Sequence, residues 1–392
     1  MISRGLAANY SEAKAKKICI VATVPYAINM FMMPHILMLS KQHHVTIIAN
    51  GSDNDYQCIH GENIRLITVK FSRKISLWRD LLNLIQLICI FHQEHFDVVH
   101  SLMPKTGLLA MLAARITNTT YRIHTFTGQV WANKVGFMRW LLKTLDQLTA
   151  SSATHLLTDG FPQLDYLVNQ EVVSKCKIRV LASGSTRGVD VDRFKPNKVV
   201  RDNIRCNLNI PVDAIVYIFL GRLNRDKGIY DLACAFVNIA KKIPTAHLLV
   251  VGPDEGNMDE ILQSKLSHLS QRFHRVGYTE KPEDYLASAD IFCLPSYREG
   301  FPSVIIEAAS VGLPSIASNI YGVVDAVKNN ETGLLHEPGN INDISNALVN
   351  LTNDSELRIR LATQAKQRAH QYFRSEILVN EMQKFYAQLF NE

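Results

Sequence analysis

Short apolar runs rich in β-branched residues alternate along the whole chain with longer segments whose apolar positions recur every three or four residues. The short runs read as strands covered on both faces, because such strands have no polar side to present. In the first half they fall at 17–24, 45–49, 66–69, 97–100, 121–125 and 155–158, with another near 177–181. Helical periodicity fills the gaps, at 77–91, 106–116 and 137–149. In the second half the strand runs are 215–220, 247–251, 273–276, 291–294 and 315–317, again separated by helices. Strand and helix in regular alternation predict parallel sheets with helices on both faces. A polar stretch at 189–211, with Asp190, Asp192, Lys195, Pro196 and Asn197, reads as a linker followed by one short helix. The predicted class is α/β: two doubly wound, Rossmann-like domains facing each other across a cleft.

Length agrees with this division, since 392 residues make two domains the leading count. A hydrophobic share of 47% and a charged share of 20% exclude disordered and collagenous chains. The net charge of +6 is mild, but its placement is not. Residues 98–145 contain Lys105, Arg115, Arg122, Lys134, Arg139 and Lys143 and no Asp or Glu, so that stretch accounts for the whole surplus. A localised basic surface says more about partners than an overall charge does. The seven cysteines (19, 58, 89, 176, 206, 234 and 293) stand singly with no CxxC spacing, which predicts reduced thiols and neither a disulfide framework nor a zinc site. Lys14, Lys16 and Lys17 precede the uncharged run 18–40, which has the length of a signal anchor. Pro25, Asn29, Pro34 and His35 interrupt it, and its opening reads as a buried strand. A soluble or membrane-surface protein is expected.

In open parallel sheets ligands bind beyond the carboxyl ends of the strands, so candidate chemistry is sought there. The 215–220 strand runs into Gly221-Arg222-Leu223-Asn224-Arg225-Asp226-Lys227-Gly228. A glycine at the strand end allows close backbone approach, and two cations five residues apart can grip adjacent phosphates. No Gly-Lys-Ser/Thr follows, so this is not a Walker loop. After the 291–294 strand, Arg298-Glu299-Gly300-Phe301-Pro302-Ser303 leads into an apolar helix containing Glu307. A helix start near Ser303 offers backbone N–H groups and a positive dipole end to a phosphate. Glu299 before that end and Glu307 one turn inside cannot bind phosphate, but they accept hydrogen bonds from sugar or ribose hydroxyls. Together the two acids and the helix end suit a nucleotide sugar. Singly, each also reads as a solvated basic turn or a surface carboxylate.

Arg222…Lys227, Val251-Gly252-Pro253, Ala289-Asp290, Pro295-Ser296, Glu299-Gly300-Phe301-Pro302, Glu307-Ala308 and Gly312-Leu313-Pro314 occur in one order. That order resembles the donor half of the retaining glycosyltransferases of the GT-B fold, glycosyltransferase family four. The family signature of two glutamates with seven residues between them is met by Glu299 and Glu307. The match is close from 215 to about 335. The first half resembles members that build bacterial cell-surface polysaccharides such as capsule and lipopolysaccharide. It does so through Asp97-Val98-Val99-His100, His124-Thr125-Phe126-Thr127-Gly128 and Gly188-Val189-Asp190…Phe194. The resemblance implies an acceptor-binding domain at 1–196, a nucleotide-sugar domain at 197–370, and a terminal helix at 371–392 that crosses back to the first domain.

The same resemblance implies roles. Arg222 and Lys227 would hold the donor diphosphate, and Glu307 the ribose. Glu299, with backbone at Phe301, Ser303 and Val304, would hold the transferred sugar, and backbone around Gly277 the base. His124 matches the family position that approaches the donor sugar; its other reading is a core histidine. There are departures. The glycine pair that often follows the first strand is replaced by Val24-Pro25-Tyr26-Ala27-Ile28-Asn29, and the later Gly-Gly-x-x-Glu pattern by Tyr321-Gly322-Val323-Val324-Asp325. Asp53-Asn54-Asp55 and Asp190-Val191-Asp192 match the DxD letters of metal-dependent sugar transferases, but these read as turn or capping carboxylates.

The implied activity is transfer of a sugar, with retention, from a nucleotide sugar (UDP by analogy) to a hydroxyl of a lipid-linked or soluble glycan, foremost a polyprenyl-diphosphate-linked saccharide. No metal or cofactor is expected, the nucleotide sugar being a substrate. Trp131, Lys134, Arg139, Trp140 and Lys143 beside Met138, Leu141, Leu142, Leu145 and Leu148, and a second apolar cluster at Met30–Met33, point to an anionic membrane surface. The expected location is cytoplasmic, peripheral on the inner face of the plasma membrane. Nucleic acid is not an expected partner. Two alternatives stay open: a GT-B-fold nucleotide-sugar epimerase or hydrolase, and a non-catalytic sugar-binding protein.

Overall fold

The computed structural model describes residues 15–56, 63–72 and 76–391; Lys14, Cys58 and Glu392 lie outside them. Seven strands form the first sheet: β1 (Lys17–Val21), β2 (His44–Ala49), β3 (Ile64–Thr68), β4 (Val98–Leu102), β5 (Tyr121–Phe126), β6 (His155–Thr158) and β7 (Ile178–Val180). Six form the second: β8 (Ile215–Leu220), β9 (Ala246–Val251), β10 (Phe273–Val276), β11 (Ile291–Leu294), β12 (Ser315–Ser318) and β13 (Gly333–His336). The orders are β3-β2-β1-β4-β5-β6-β7 and β10-β9-β8-β11-β12-β13. Each sheet starts in the middle, builds outward to one edge, returns and builds to the other. The reversal leaves a crevice at the carboxyl ends of β1 and β4 in one sheet, and of β8 and β11 in the other. Loops bearing Arg222, Lys227 and Glu299 leave the second of these points.

Apolar runs become strands here because they are covered on both sides: β9 is buried along its whole length, and β1 from Ile18 onward. β1 ends at Val21, short of the expected 24, because Pro25 opens a helical turn over Pro25–Ala27. Proline suits a first helical position and biases Val24 before it towards extended backbone. The uncharged run 18–40 is thus a strand and short helical pieces. No helix among the described residues is long and apolar enough to cross a membrane. Edge strand β13 was not predicted. Its register against β12 depends on Gly333, whose added Cβ would lie 2.3 Å from the Ser315 carbonyl oxygen.

By contact density the chain divides into Met1–His124 with Ser152–Thr154, and Thr125–Ser151 with His155–Glu392. The domain boundary expected at 196/197 is not where the contact units divide: the loop after β5, the helix after it, β6 and β7 group with the second sheet. Within the larger unit the linker helix Lys198–Asn207 is fastened to the sheet by Arg201 and Arg205, which bind the two oxygens of Asp290 at 2.6 and 2.7 Å. The last helix, Ser375–Asn391, sets Phe385 against His155 of β6 and under the Arg179 guanidinium of β7.

Candidate active site

The β8 exit bends through a single 3-10 turn, Arg225–Lys227, because Asn224 Oδ1 accepts the Lys227 backbone N–H at 3.2 Å. Gly228 then turns left-handed (φ 66°) to start the next helix, and a Cβ there would lie 2.0 Å from the Pro295 carbonyl oxygen. The β8 loop is therefore locked to the β11 loop by a backbone contact that only glycine permits. Across it Lys227 Nζ meets Glu299 Oε1 at 2.6 Å, both side chains largely buried. Arg222 is more exposed and pairs with Glu255 Oε2 at 2.6 Å, on the loop that follows β9.

Past Glu299, the helix Ser303–Val311 begins after Pro302 with no side chain capping its first N–H groups. Ser303 and Val304 are half-buried in its first turn, so that end retains its donors. Phe301 anchors the loop by packing on Phe373, ring centroids 5.5 Å apart. Glu307 is buried one turn in, where Arg187 Nη2 binds its Oε1 at 2.7 Å. The Gly277 carbonyl accepts the Gly252 N–H at 3.1 Å, and a Cβ on Gly277 would meet nothing within 4 Å.

The Glu299–Gly300 segment is also held from the other side. A Cβ on Gly300 would lie 2.5 Å from the Thr127 carbonyl oxygen and 3.0 Å from Asp159 Oδ2, and one on Gly322 would lie 2.2 Å from the Glu299 carbonyl oxygen. Asp159 is buried, which pushes its carboxyl up to about 7, partly offset by the Thr186 hydroxyl donating to Oδ1 at 2.7 Å. Tyr321 donates to Gln129 Oε1 at 3.0 Å, and its ring stacks on Tyr166, which stacks in turn on Trp131.

Arg222, Lys227, Glu299, Glu307, Phe301, Ser303, Val304 and Gly277 thus all stand on loops or a helix start beyond the carboxyl ends of the second sheet. His124 differs. It is 1% exposed on β5, its Nδ1 pairs with Ser101 Oγ at 2.9 Å, and its ring fills the space beside Gly107. Burial lowers its pKa to about 3, so the ring is neutral. These are the surroundings of a core histidine. Asp325 accepts the Phe161 N–H at 2.7 Å, at the start of the helix Phe161–Asn169. Both DxD look-alikes are turn carboxylates: Asp55 closes a capping box with Ser52, and Asp190 accepts the N–H groups of Asp192 and Arg193. Among the described residues no group of three or more His, Cys, Asp or Glu is placed to hold a metal ion.

The basic stretch needs correction. Trp131 is 1% exposed and donates to Asp146 at 2.7 Å, so it belongs to the core. Arg122 and Arg139 bind backbone carbonyls, and Lys105 binds Asp80. Met32 and Met33 are buried in a helical segment. Sequence reasoning missed Arg187, Glu255, Asp159 and Gln129 and named Tyr321 only within a departure from the family pattern; their side-chain partners lie 27 to 192 residues away. The signals that could have found them were adjacency to quoted motifs: Arg187 stands beside Gly188-Val189-Asp190, Gln129 follows Gly128, and Tyr321 opens the Tyr321-Gly322 pattern.

The profile described as Glycosyl transferases group 1 matches residues 200–368, and that of a Glycosyl transferase 4-like domain matches 38–184. The capsular polysaccharide biosynthesis glycosyltransferase CapM of Staphylococcus aureus is 30% identical over 378 residues, covering 95% of this chain and 97% of that one. The chain belongs to the GT-B glycosyltransferases. As a family member it is a sugar transferase, with the two parallel-sheet, Rossmann-like domains of that fold. An Escherichia coli UDP-Gal:alpha-D-GlcNAc-diphosphoundecaprenol alpha-1,3-galactosyltransferase is 30% identical over 331 residues, 82% of this chain and 84% of that one. Among solved structures, Anabaena HepE in complex with UDP and glucose matches in fold with a TM-score of 0.79, at 16% identity over 95% of this chain and all of that one.

Proposed function

We propose that this glycosyltransferase moves a sugar, with retention of anomeric configuration, from a UDP-sugar to a hydroxyl of a polyprenyl-diphosphate-linked saccharide during surface polysaccharide assembly. The observation that carries the reading is the meeting of Lys227 and Glu299 at 2.6 Å where β8 and β11 discharge their loops. Cation and acid are then both at hand for a donor whose phosphates need the first and whose sugar hydroxyls need the second. The relatives support the polymer class and the lipid carrier, since one is named for capsular polysaccharide and another for a diphosphoundecaprenol acceptor. In the reaction the anomeric C–O bond to the diphosphate breaks and its electron pair leaves with the phosphate oxygen. The acceptor oxygen bonds to the anomeric carbon on the same face, and a phosphate oxygen takes the acceptor proton. Arg222 and Lys227 stabilise the departing charge, the largest catalytic contribution expected in such a site. Glu299 accepts hydroxyls of the sugar, Glu307 those of the ribose, and backbone near Gly277 holds the base.

A screen of UDP-, GDP- and ADP-sugars with and without a polyprenyl-diphosphate saccharide tests this, with anomeric configuration read by NMR. UDP-sugar consumption that requires the acceptor is expected. Donor turnover indifferent to acceptor would favour an epimerase or hydrolase, and no turnover a binding protein. Arg222→Ala and Lys227→Ala should each cost about two orders of magnitude in turnover.

A bilayer partner at the inner face of the plasma membrane completes the reading. It is supported by two exposed apolar faces, one in each contact unit. The outer face of the helix Leu77–Glu94 bares Leu77, Trp78, Leu81, Leu82 and Ile85 beside Arg79, with Leu77 86% and Trp78 74% exposed. Val135, Phe137, Met138 and Trp140 are bared beside Lys134. Tryptophan and basic groups flanking an apolar stripe suit an anionic interface. Flotation with phosphatidylglycerol vesicles should be lost in Trp78→Asp with Leu82→Asp; unchanged flotation would remove this face from the reading.

A further inference from the structure

Gln129 is wholly buried, yet half of its amide is unused. Its backbone N–H donates to the Tyr321 hydroxyl at 3.4 Å, and that hydroxyl donates onward to Gln129 Oε1 at 3.0 Å. The phenol proton therefore needs the oxygen end of the amide, which fixes its orientation and leaves the Nε2 hydrogens as the unused donors. Nε2 is buried with no hydrogen-bond partner among the described residues. Native proteins rarely leave such a donor unmade, and each exception calls for an explanation.

Its neighbourhood supplies one. The preceding residue, Gly128, adopts φ 103°, and a Cβ there would lie 3.1 Å from the Gly300 nitrogen. On the other side Gly322, next to Tyr321, closes on the Glu299 carbonyl. The Tyr321 phenol, pushed up to about 12 mainly by burial, also feels the charges of Glu299 and Arg298. Residues 128–129, 299–300 and 321–322 are thus interlocked through backbone contacts, and the unused amide hydrogens belong to one of the interlocked residues. The stack of Tyr321 on Tyr166 and Trp131 fixes the phenol, and through it the amide.

We propose that Gln129 is a donor-sugar specificity residue, whose Nε2 hydrogens bind a hydroxyl oxygen of the hexose that Glu299 holds. The inference rests on the reading of Glu299 above and extends it. Glu299 can only accept hydrogen bonds, so it tests a sugar for hydroxyl protons. A fixed amide donor tests it for a hydroxyl oxygen at a second position. A site with both rejects a hexose that lacks the hydroxyl at either one, since a buried polar partner is then left unpaired.

The test compares UDP with UDP-glucose and UDP-galactose, by calorimetry, on wild type, Gln129→Leu and Tyr321→Phe. In Gln129→Leu the affinity advantage of the better UDP-hexose over UDP should fall about tenfold while UDP binding stays within twofold. Its unfolding temperature should fall no further than that of Tyr321→Phe, because each variant breaks the one phenol–amide hydrogen bond and the Nε2 donor lost with leucine was unpaired. An unchanged UDP-hexose to UDP ratio would overturn the proposal, and so would a loss of stability beyond that of Tyr321→Phe with that ratio preserved, the mark of an amide satisfied by internal water. Tyr321→Phe frees the amide to rotate and should give an intermediate ratio; a wild-type ratio there removes the tyrosine from the argument. If wild type shows no preference for UDP-, GDP- or ADP-hexoses over their nucleotides, the role of Glu299 itself fails.

Discussion

Gly300 is where a single methyl group should separate catalysis from nucleotide binding. Its added Cβ would stand 2.5 Å from the Thr127 carbonyl oxygen and 2.7 Å from the carbonyl carbon, against ordinary contact at 3.4 Å or more. Both atoms are backbone, so no side chain can swing away, and the Glu299–Gly300 segment must retreat by about 0.9 Å, the difference between 3.4 and 2.5. Glu299 travels with it, away from the place where Lys227 now meets it. Misplacing a reacting group by about 1 Å can cost 10²-fold in rate, or about 2.7 kcal/mol of activation free energy. Gly300→Ala should therefore lower kcat about a hundredfold in a continuous UDP-release assay. UDP affinity measured by calorimetry should stay within about threefold of wild type, because the methyl group does not reach Arg222 or Glu307. Overpacking should lower stability by about 1–3 kcal/mol, which leaves the variant folded at 25 °C. A folded Gly300→Ala enzyme with kcat within threefold of wild type would refute the reasoning.

Asp159 gives a pH signature. Its carboxyl is raised from the ordinary 3.8 to about 7 by burial, so between those values the folded state holds a proton that the unfolded state has lost, and stability falls as pH rises. With about three pKa units at about 1.36 kcal/mol each, the loss is on the order of 4 kcal/mol. Asp159→Asn should match wild-type Tm near pH 4 and exceed it by several degrees at pH 8; parallel Tm curves would exclude the effect. His124→Asn should cost about 2–4 kcal/mol in chemical denaturation through lost packing, with kcat of the folded fraction within about threefold. A hundredfold drop in kcat at intact stability would return His124 to the reacting groups. Gly277→Val places a side chain in open space where the base is expected, so KM for the donor should rise about tenfold with Tm unchanged; equal KM values would move the base elsewhere.

Strand and helix positions were legible because burial on both faces forces apolar runs, and twelve of thirteen strands were anticipated from them. The thirteenth, β13, is four residues at an edge, with half-buried Leu334 and Leu335 too short a run to show periodicity. His124 illustrates the opposite limit. The last four residues of β5 are all buried, so the alternation that would tell an inward from an outward side chain is missing. Letters at a strand end then cannot separate a core histidine from a ligand. Trp131, by contrast, misled outright. A tryptophan among lysines reads as interfacial, but a carboxylate fifteen residues on, Asp146, takes its N–H indoors.

The charges of the donor site were legible as residue types, but their pairing was not, and the pairing changes what the site can do. Arg222 is matched by Glu255, Lys227 by Glu299 and Glu307 by Arg187, each at 2.6 or 2.7 Å. The site is therefore a set of neutral pairs rather than a cluster of bare cations. A diphosphate cannot be drawn in from a distance by such a set; it must displace carboxylates at contact range. Lys227 can turn to phosphate only as Glu299 turns to sugar, so a donor that brings both groups is favoured over a nucleotide that brings one. Long-range steering makes association fall steeply with ionic strength, whereas exchange between paired charges does not. Stopped-flow association of a UDP-sugar should vary less than about threefold between 20 and 300 mM salt. A tenfold decline would mean that the cations stand unpaired in solution, and the exchange argument would fall with it.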